Sequence, residues 1–568
     1  MARVFISYKR DDKDLVFPIK DKIEATIGEP CWIDLEGIES DAQFAKVIID
    51  AIDEASIFLF MYSKRHSIIT DFEHDWTIHE LGYAEDERKR IVFCNIDKTP
   101  LTKWFKLLYK YKQQVDMTSP EDVERLLEDL REWLGVTNTQ VRQPKQEPIV
   151  YTEGLRYEYN EQTKEATVIG LGSVVDEKIV IPPTILHDGR TYRVTSIGDR
   201  AFFCCRGLTS VIIPDSVTSI GASAFYCCSS MTIMKIPNSV ISIGDSAFYG
   251  CIGLTSLSIS NNVTSIGNEA FADCSGLTFI DVDATNPKYR SVNGVLFSKD
   301  ITKLVQFPGG KQGAYTISDN VTSIGDSAFY GCTGLTSLTI PNSVIWIGNH
   351  AFSGCSSLTS LSIPNNVTSI GNSAFSGCKS LSTVTIPNSV TSIEKDTFYD
   401  CSSLTSVTIP NRVTSIGERA FDGCSALTSV MIPNSVTRIG VCAFYCCSSL
   451  SSVTIPSSVT SIGNNAFYGC ENLSFLTISD NVTSIEKETF YGCSSLTSVT
   501  IPNSVTSIGD GAFFYCNKLT SVIISNNVAT IGDEAFAYCD HLASITIPPS
   551  VTIIGNNAFP STCKVIRK

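Results

Sequence analysis

Leu496-Thr-Ser-Val-Thr-Ile-Pro-Asn-Ser-Val-Thr-Ser-Ile-Gly-Asp-Gly-Ala-Phe-Phe-Tyr-Cys-Asn-Lys518 is one copy of a 23-residue repeat, and its reading decides the fold of most of the chain. In its first six residues Val499 and Ile501 alternate with Ser498 and Thr500, the period-2 pattern of a strand with one buried face. Pro502-Asn503 ends the strand and turns the chain. Val505 and Ile508 re-enter the core. Gly509 permits a tight turn, and Ala512, Phe513 and Cys516 bury a short helical turn. A unit this small cannot bury its apolar face alone, so copies must stack.

The phase is readable over hundreds of residues. Leu208, Met231, Leu254 and Leu277 open successive copies; the phase resumes at Leu335 and runs through Leu358, Leu381, Leu404, Leu427, Leu450, Leu473, Leu496, Leu519 and Leu542. The interval from Leu277 to Leu335 is 58 residues, two periods plus 12, which places an irregular insert at about 281–315. At ~4.8 Å per stacked strand, roughly fifteen coils make a rod of about 70 Å. Residues 150–207, with Leu155–Tyr159 and Ala166–Ile169, read as a strand-rich N-terminal cap and first repeat of a solenoid that continues over 208–568; Cys563–Lys568 closes its other end with charge.

Of the 21 cysteines, fourteen recur at one phase: Cys205, Cys228, Cys251, Cys274, Cys332, Cys355, Cys378, Cys401, Cys424, Cys447, Cys470, Cys493, Cys516 and Cys539. A free cysteine packs as a small hydrophobe, so these read as an internal ladder of reduced thiols. No partnering histidine or paired CxxC spacing accompanies them, and no metal is expected. The repeat resembles the BspA-like leucine-rich repeats, and the resemblance covers about 150–568. Outward strand positions are mostly Ser and Thr, with Lys235, Met431, Phe475 and Ile523 as exceptions and Trp346 in place of the usual Ser before Ile347. Two readings stay open: hydroxyl residues that suit stacked strands, or a binding face for an unknown protein or glycan.

The chain of 568 residues is 43% hydrophobic and 18% charged, with net charge −15 and pI about 5.0. That composition is globular, and its acidity gives no electrostatic footprint for nucleic acid or an anionic membrane. No apolar run approaches the ~18 residues of a bilayer span. Met1–Tyr8 lacks an apolar signal-peptide core and is followed at once by Lys9, Arg10, Asp11 and Asp12, so a cytoplasmic location is expected. The BspA-like resemblance by itself implies a surface adhesin.

Residues 1–135 change period. Arg3–Tyr8, Pro30–Asp34, Ile57–Met61 and Ile91–Ile96 read as strands; Leu15, Ile19 and Ile23, and Phe44, Val47, Ile48, Ala51 and Ile52, read as helical stripes. Ser119-Pro120 supplies an N-cap and N1 proline for a last helix through Trp133. This alternation predicts an α/β domain with a central parallel sheet, whose active regions lie beyond the strand C-termini. A polar, proline-containing linker follows at 136–149.

At those strand ends Phe5-Ile6-Ser7-Tyr8-Lys9-Arg10 resembles box 1 of TIR domains, Trp32–Glu39 resembles their second strand and BB loop, and Ser63 follows the third strand as it does in that family. Asp75-Trp76-Thr77-Ile78-His79-Glu80 resembles the helix that carries the catalytic glutamate of NAD⁺-cleaving TIR domains. The resemblance implies a flavodoxin-like fold ahead of the repeats. It also implies an NAD⁺ glycohydrolase or cyclase with Glu80 as catalytic carboxylate. Lys9, Arg10, Glu39, Trp76, Phe44 and Tyr8 would be the residues that hold NAD⁺, here a substrate. Glu39–Phe44 departs from the family in lacking the expected glycine of the loop. Rupture of the nicotinamide–ribose bond develops oxocarbenium character that one carboxylate can stabilise. Considered alone, Glu80 is equally a solvated helix carboxylate and Trp76 a core residue. Self-association through TIR domains is implied; no Walker A sequence is present to drive it. The other readings are a non-enzymatic TIR adaptor and a host-directed BspA-like interaction protein.

Overall fold

A computed structural model describes residues 4–8, 12–33, 51–64, 80–81, 84, 87, 89–100, 113–134, 151–172 and 177–568. The chain divides into two compact units, Met1–Ile149 and Val150–Lys568.

In the first unit β1 (Val4–Tyr8), β2 (Trp32–Ile33), β3 (Ile57–Tyr62), β4 (Arg90–Asn95) and β5 (Gln113–Asp116) form one parallel sheet in the order β2-β1-β3-β4-β5. Alternation along β1 splits the core in two. Val4, Ile6 and Tyr8 face α1 (Lys13–Ile27) and α2 (Pro120–Trp133), with Val16, Ile23, Leu126, Leu127 and Leu130 buried against them. Phe5 faces the other way, with Phe58, Phe60, Tyr62 and Phe93, under the helical residues Ile52, Leu81 and Ala84. Ser119 caps α2 as expected, its hydroxyl accepting from the Asp122 N–H at 3.3 Å. Two details differ from the sequence reading. The buried stripe of α1 runs through Val16, Ile23 and Ile27, while Leu15 is exposed. The strand β5, with Val115 as its one apolar residue, carries no alternation to announce it.

The second unit is a parallel β-solenoid behind a cap. In the cap β6 (Leu155–Asn160) pairs antiparallel with β7 (Glu165–Leu171), and β8 (Thr184–His187) with β9 (Arg190–Ile197); β9 then pairs in parallel with Ser219–Ile220. Beyond it, residues 23 apart stand in register: Thr383, Ser406 and Ser429 on one ladder, Ser392, Ser415 and Arg438 on another. Leu496, Val505, Ala512, Phe513 and Cys516 are fully buried and Val499, Ile501 and Ile508 nearly so, as the period demands. The phenylalanines stack coil on coil, Phe421, Phe444 and Phe467 with centroids 5.2–5.3 Å apart and rings within 6° of parallel.

Two expectations are corrected here. Residues 509–517 make linked turns instead of a helical turn. The Ala512 and Cys516 N–H groups bond three residues back, whereas those of Phe513 and Tyr515 reach the next coil at Ala535 and Ala537. Gly511 (φ 57°) and Tyr515 (φ 59°) are left-handed, and the N–H groups of Gly511, Phe513 and Tyr515 all run along the stack. Gly509 is needed for close approach and not for its φ, because a Cβ there would lie 2.6 Å from the Lys487 nitrogen on the preceding coil.

The insert belongs to the stack. Tyr289–Val292 and Val295–Ser298 form an antiparallel hairpin, Lys303–Gln306 pairs with it and then in parallel with Ser323–Ile324, and Val295, Leu296, Phe297 and Leu304 are buried. Its root is Asn286, fully buried, which donates to the Ser260 and Val263 carbonyls at 2.7 and 2.9 Å and accepts from the Lys288 and Tyr289 N–H groups at 2.8 Å each.

All 21 cysteines are free, and thirteen of the fourteen at ladder phase are buried, with Cys205 half-buried. Each buried ladder thiol donates to a phenylalanine carbonyl on the preceding coil, from Cys228 to Phe202 through Cys539 to Phe513. Twelve of these lie at 3.0–3.4 Å, and Cys332 to Phe307 at 3.9 Å. Cysteine therefore fills a position that wants small volume and a weak donor. Burial pushes the Cys274 thiol up to about 12, so it stays protonated at neutral pH.

Candidate functional site

The ends of β1 and β3 lie side by side at the centre of the first sheet, where the strand order reverses direction. Such a switch point is where open α/β sheets hold ligands. Four polar or amphipathic side chains collect there: Ser7 and Tyr8 close β1, Tyr62 closes β3, and Ser63 follows it, all buried. The Ser63 hydroxyl donates to Asp12 at 2.5 Å, a buried charge-assisted bond that ties the start of α1 to the end of β3. Ser7 Oγ is buried with no hydrogen-bond partner among the described residues.

Glu80 is helical and 3% exposed, and its neighbours Leu81 and Ala84 pack on the Phe5 face of the sheet. By strand alternation Ser7 shares that face. Tyr8 points to the other, against α1, where its ring meets Phe17 with centroids 6.2 Å apart. The structure thus brings Ser7, more than Tyr8, to the layer of the sheet that Glu80's helix covers. Lys9, Arg10, Glu39, Phe44 and Trp76, with His66, His74 and His79, lie outside the described residues. Ser7 and Asp12 were not singled out by sequence reasoning for a role at this site. The signal for Ser7 was its phase with Phe5, a polar residue at a buried strand position.

In the solenoid the outward exceptions are exposed: Met431 at 80%, Phe475 at 59%, Ile523 at 60%, and Lys235. Trp346 is half-buried beside exposed Ile345. Much of the Ser/Thr content has an internal task. Thr405, Thr428, Ser451 and Ser474 each donate a hydroxyl to the carbonyl of the equivalent residue one coil back, at 3.1–3.2 Å, and Thr414, Thr437 and Thr460 do the same in a second ladder at 3.1–3.3 Å. Among the described residues no group of three or more His, Cys, Asp or Glu is placed to hold a metal ion, and no helix is long and apolar enough to cross a membrane.

Comparison with known proteins agrees with both halves. The profile of the BspA type leucine-rich repeat region matches residues 191–301, 306–424, 391–474 and 437–567, and that of the TIR domain matches 4–130. Among solved structures the chain is similar to a leucine-rich repeat protein from Bacteroides ovatus, at 26% identity over 74% of this chain and 100% of that one, with a TM-score of 0.41. It is also similar to a leucine rich cell surface protein from Faecalibacterium prausnitzii, at 29% identity over 73% and 95%, with a TM-score of 0.38. No curated protein matches the chain. With its repeats matched over most of their length and a distinct parallel sheet ahead of them, the chain belongs to the BspA-type leucine-rich-repeat family and carries an N-terminal TIR domain.

Proposed function

We propose that the TIR domain is an NAD⁺ nucleosidase controlled through the repeat solenoid, acting in the cytoplasm in an innate-immune or anti-phage response. The burial of Glu80 carries this reading. A helix carboxylate with no task is solvated, because burying an ionised carboxyl is costly unless its surroundings compensate; Glu80 is 3% exposed. NAD⁺ is the substrate. As the C–N bond to nicotinamide breaks, its electron pair leaves with the neutral base, and the Glu80 carboxylate stabilises the positive ribose. Water then adds to the anomeric carbon and releases a proton; capture by a second nucleophile within the molecule gives the cyclic product instead. Lys9 and Arg10 would hold the pyrophosphate, Trp76 the ring, and Glu39, Phe44 and Tyr8 complete the binding set. Self-association of TIR domains, promoted by a protein or glycan ligand on the solenoid, would switch the activity on.

The test is NAD⁺ consumption by the full chain, followed by chromatography, beside Glu80→Gln, which keeps the side chain's shape and removes its charge. Consumption by the wild type and its loss in the variant are expected, and the product peak separates hydrolysis from cyclisation. A wild-type chain that leaves NAD⁺ intact even at concentrations that force self-association overturns the enzyme and favours a TIR adaptor.

A further inference from the structure

Cys204–Cys205, Cys227–Cys228 and Cys446–Cys447 are adjacent pairs in which the second member belongs to the internal ladder. The first member sits at a left-handed turn position that other coils fill mostly with glycine, such as Gly250, Gly331 and Gly354. Cys204 is exposed (φ 57°) and Cys227 half-buried (φ 55°). They occupy the same position on successive coils, and their N–H groups take the same step along the stack, Cys204 to the Tyr226 carbonyl and Cys227 to that of Tyr249, both at 2.7 Å.

The geometry of that step is visible one coil further on. A Cβ on Gly250 would lie 3.1 Å from the Cys227 sulfur and 3.7 Å from its Cα; a Cβ on Gly469 would lie 3.2 Å from the Cys446 sulfur. A cysteine in this column therefore leans its sulfur onto the Cβ position of the next coil. For Cys204 that position holds Cys227, and beyond burial the Cys204 thiol is near enough to push the Cys227 thiol up. In a disulfide with an S–S bond of about 2.05 Å, each sulfur lies about 3 Å from its partner's Cβ. The regular step of the stack sets Cys204 against Cys227 as Cys227 is set against Gly250, and rotation of the Cys227 side chain would complete the bond.

We propose that Cys204 and Cys227 are an oxidisable dithiol, a modification site that closes as a disulfide between successive coils when the protein meets a peroxide. The Cys204 thiolate attacks a peroxide oxygen; the S–O bond forms as O–O breaks, and hydroxide leaves and is protonated to water. The Cys227 sulfur then attacks the sulfenic sulfur; S–S forms, S–O breaks, and the hydroxyl departs with the thiol proton as a second water. Two thiols lose two electrons and one peroxide becomes two waters. The order follows exposure, since thiol oxidation requires access. Burial above all, with the neighbouring Cys204 thiol, holds the Cys227 thiol above its ordinary value, which suits the second role. Cys446 is an internal control, because its column neighbours on the adjacent coils are Gly423 and Gly469 and no cysteine faces it across the stack.

The experiment treats the full chain with hydrogen peroxide, alkylates remaining thiols with iodoacetamide, digests it with trypsin without reduction and maps the peptides by mass spectrometry. A cross-link between peptides 201–206 and 207–235, lighter by two hydrogens and released by a reducing thiol, is expected. It should vanish in Cys204→Ser and Cys227→Ser and persist in Cys205→Ser, with circular dichroism reporting that each variant folds. Fragment ions from the wild type assign the bridge to Cys204 or Cys205 without any variant. Cys204 and Cys227 recovered only as separate alkylated or oxygenated residues, or a bridge that survives in Cys204→Ser, overturns the proposal.

Discussion

Replacing Phe444 with alanine tests whether the solenoid is held coil by coil. The side chain is fully buried and sandwiched between Phe421 at 5.3 Å and Phe467 at 5.2 Å, both rings 6° from parallel. Truncating a buried phenylalanine costs about 3–5 kcal/mol, and each stacked pair contributes ~0.5–1.5 kcal/mol beyond its buried area. Because truncation already removes much of the stacking, the loss is about 5 kcal/mol, the upper part of the truncation range; a ring gap between two rigid neighbours cannot collapse without breaking the ladder on both sides. In a stack where each coil touches only its neighbours, that loss stays local. Hydrogen exchange of the full chain should show amides of residues 421–470 opening about four-thousandfold more often. Amides around Phe225, in the first coils, should be unchanged. An increase below tenfold near Phe444 would refute the packing argument. An equal increase along the whole solenoid would refute the locality and show a single cooperative unit.

Asn286→Ala removes the four hydrogen bonds at the root of the insert and strands buried carbonyls and N–H groups. At ~1–3 kcal/mol per unsatisfied buried group, urea titration should show a loss of at least about 3 kcal/mol, and a loss below about 1 would mean that water takes the asparagine's place. Asp273 lies at the turn of the coil before the insert, where burial raises its pKa. The folded chain therefore binds this proton more tightly than the unfolded one. The resulting stability is present at and below the ordinary aspartate pKa of about 3.9 and is lost as pH rises through the folded value. Asp273→Asn should melt higher than wild type at neutral pH and flatten the dependence of Tm on pH above about 4; parallel curves would assign that dependence to other groups.

How much of this was legible depends on what the residues record. The solenoid was readable because its period repeats in copy after copy, and burial at Leu496, Phe513 and Cys516 follows from phase alone. What phase does not record is contact between coils. Gly509 reads as a turn glycine, yet its constraint is the backbone of residue 487 on the coil before, 22 positions away. The turns at 509–517 have helix-like spacing of Ala512, Phe513 and Cys516, but half their N–H groups serve the next coil. In the TIR domain the sheet was legible where strands are apolar on both faces, as in Ile57–Tyr62, and not at the polar edge strand β5. Glu80 was identified through resemblance. Its burial, which distinguishes it from a solvated carboxylate, belongs to the packing of its helix and is not written in the spacing around it.

The outward Ser and Thr residues show how a chemical task confines variation. The position after each repeat-opening leucine or methionine is Thr or Ser in copy after copy, from Thr209 to Thr520, and only Ala543 in the last copy departs. There the hydroxyl donates to a carbonyl one coil back, as Thr428 does to Thr405 and Thr520 to Thr497. A side chain without a donor would leave that carbonyl's second lone pair to water alone, a small cost per coil that recurs in each one. The exceptions Ile212, Lys235, Met431, Phe475 and Ile523 all fall two or four residues after the opening residue, Lys235 just past its strand and the others on theirs, and those four are among the most exposed apolar side chains of the unit. At the first position hydroxyl side chains are thus retained, while at the second and fourth they give way in some copies to other residues. A ligand on this face would be read by the second and fourth positions, and the first would be invariant whatever the ligand.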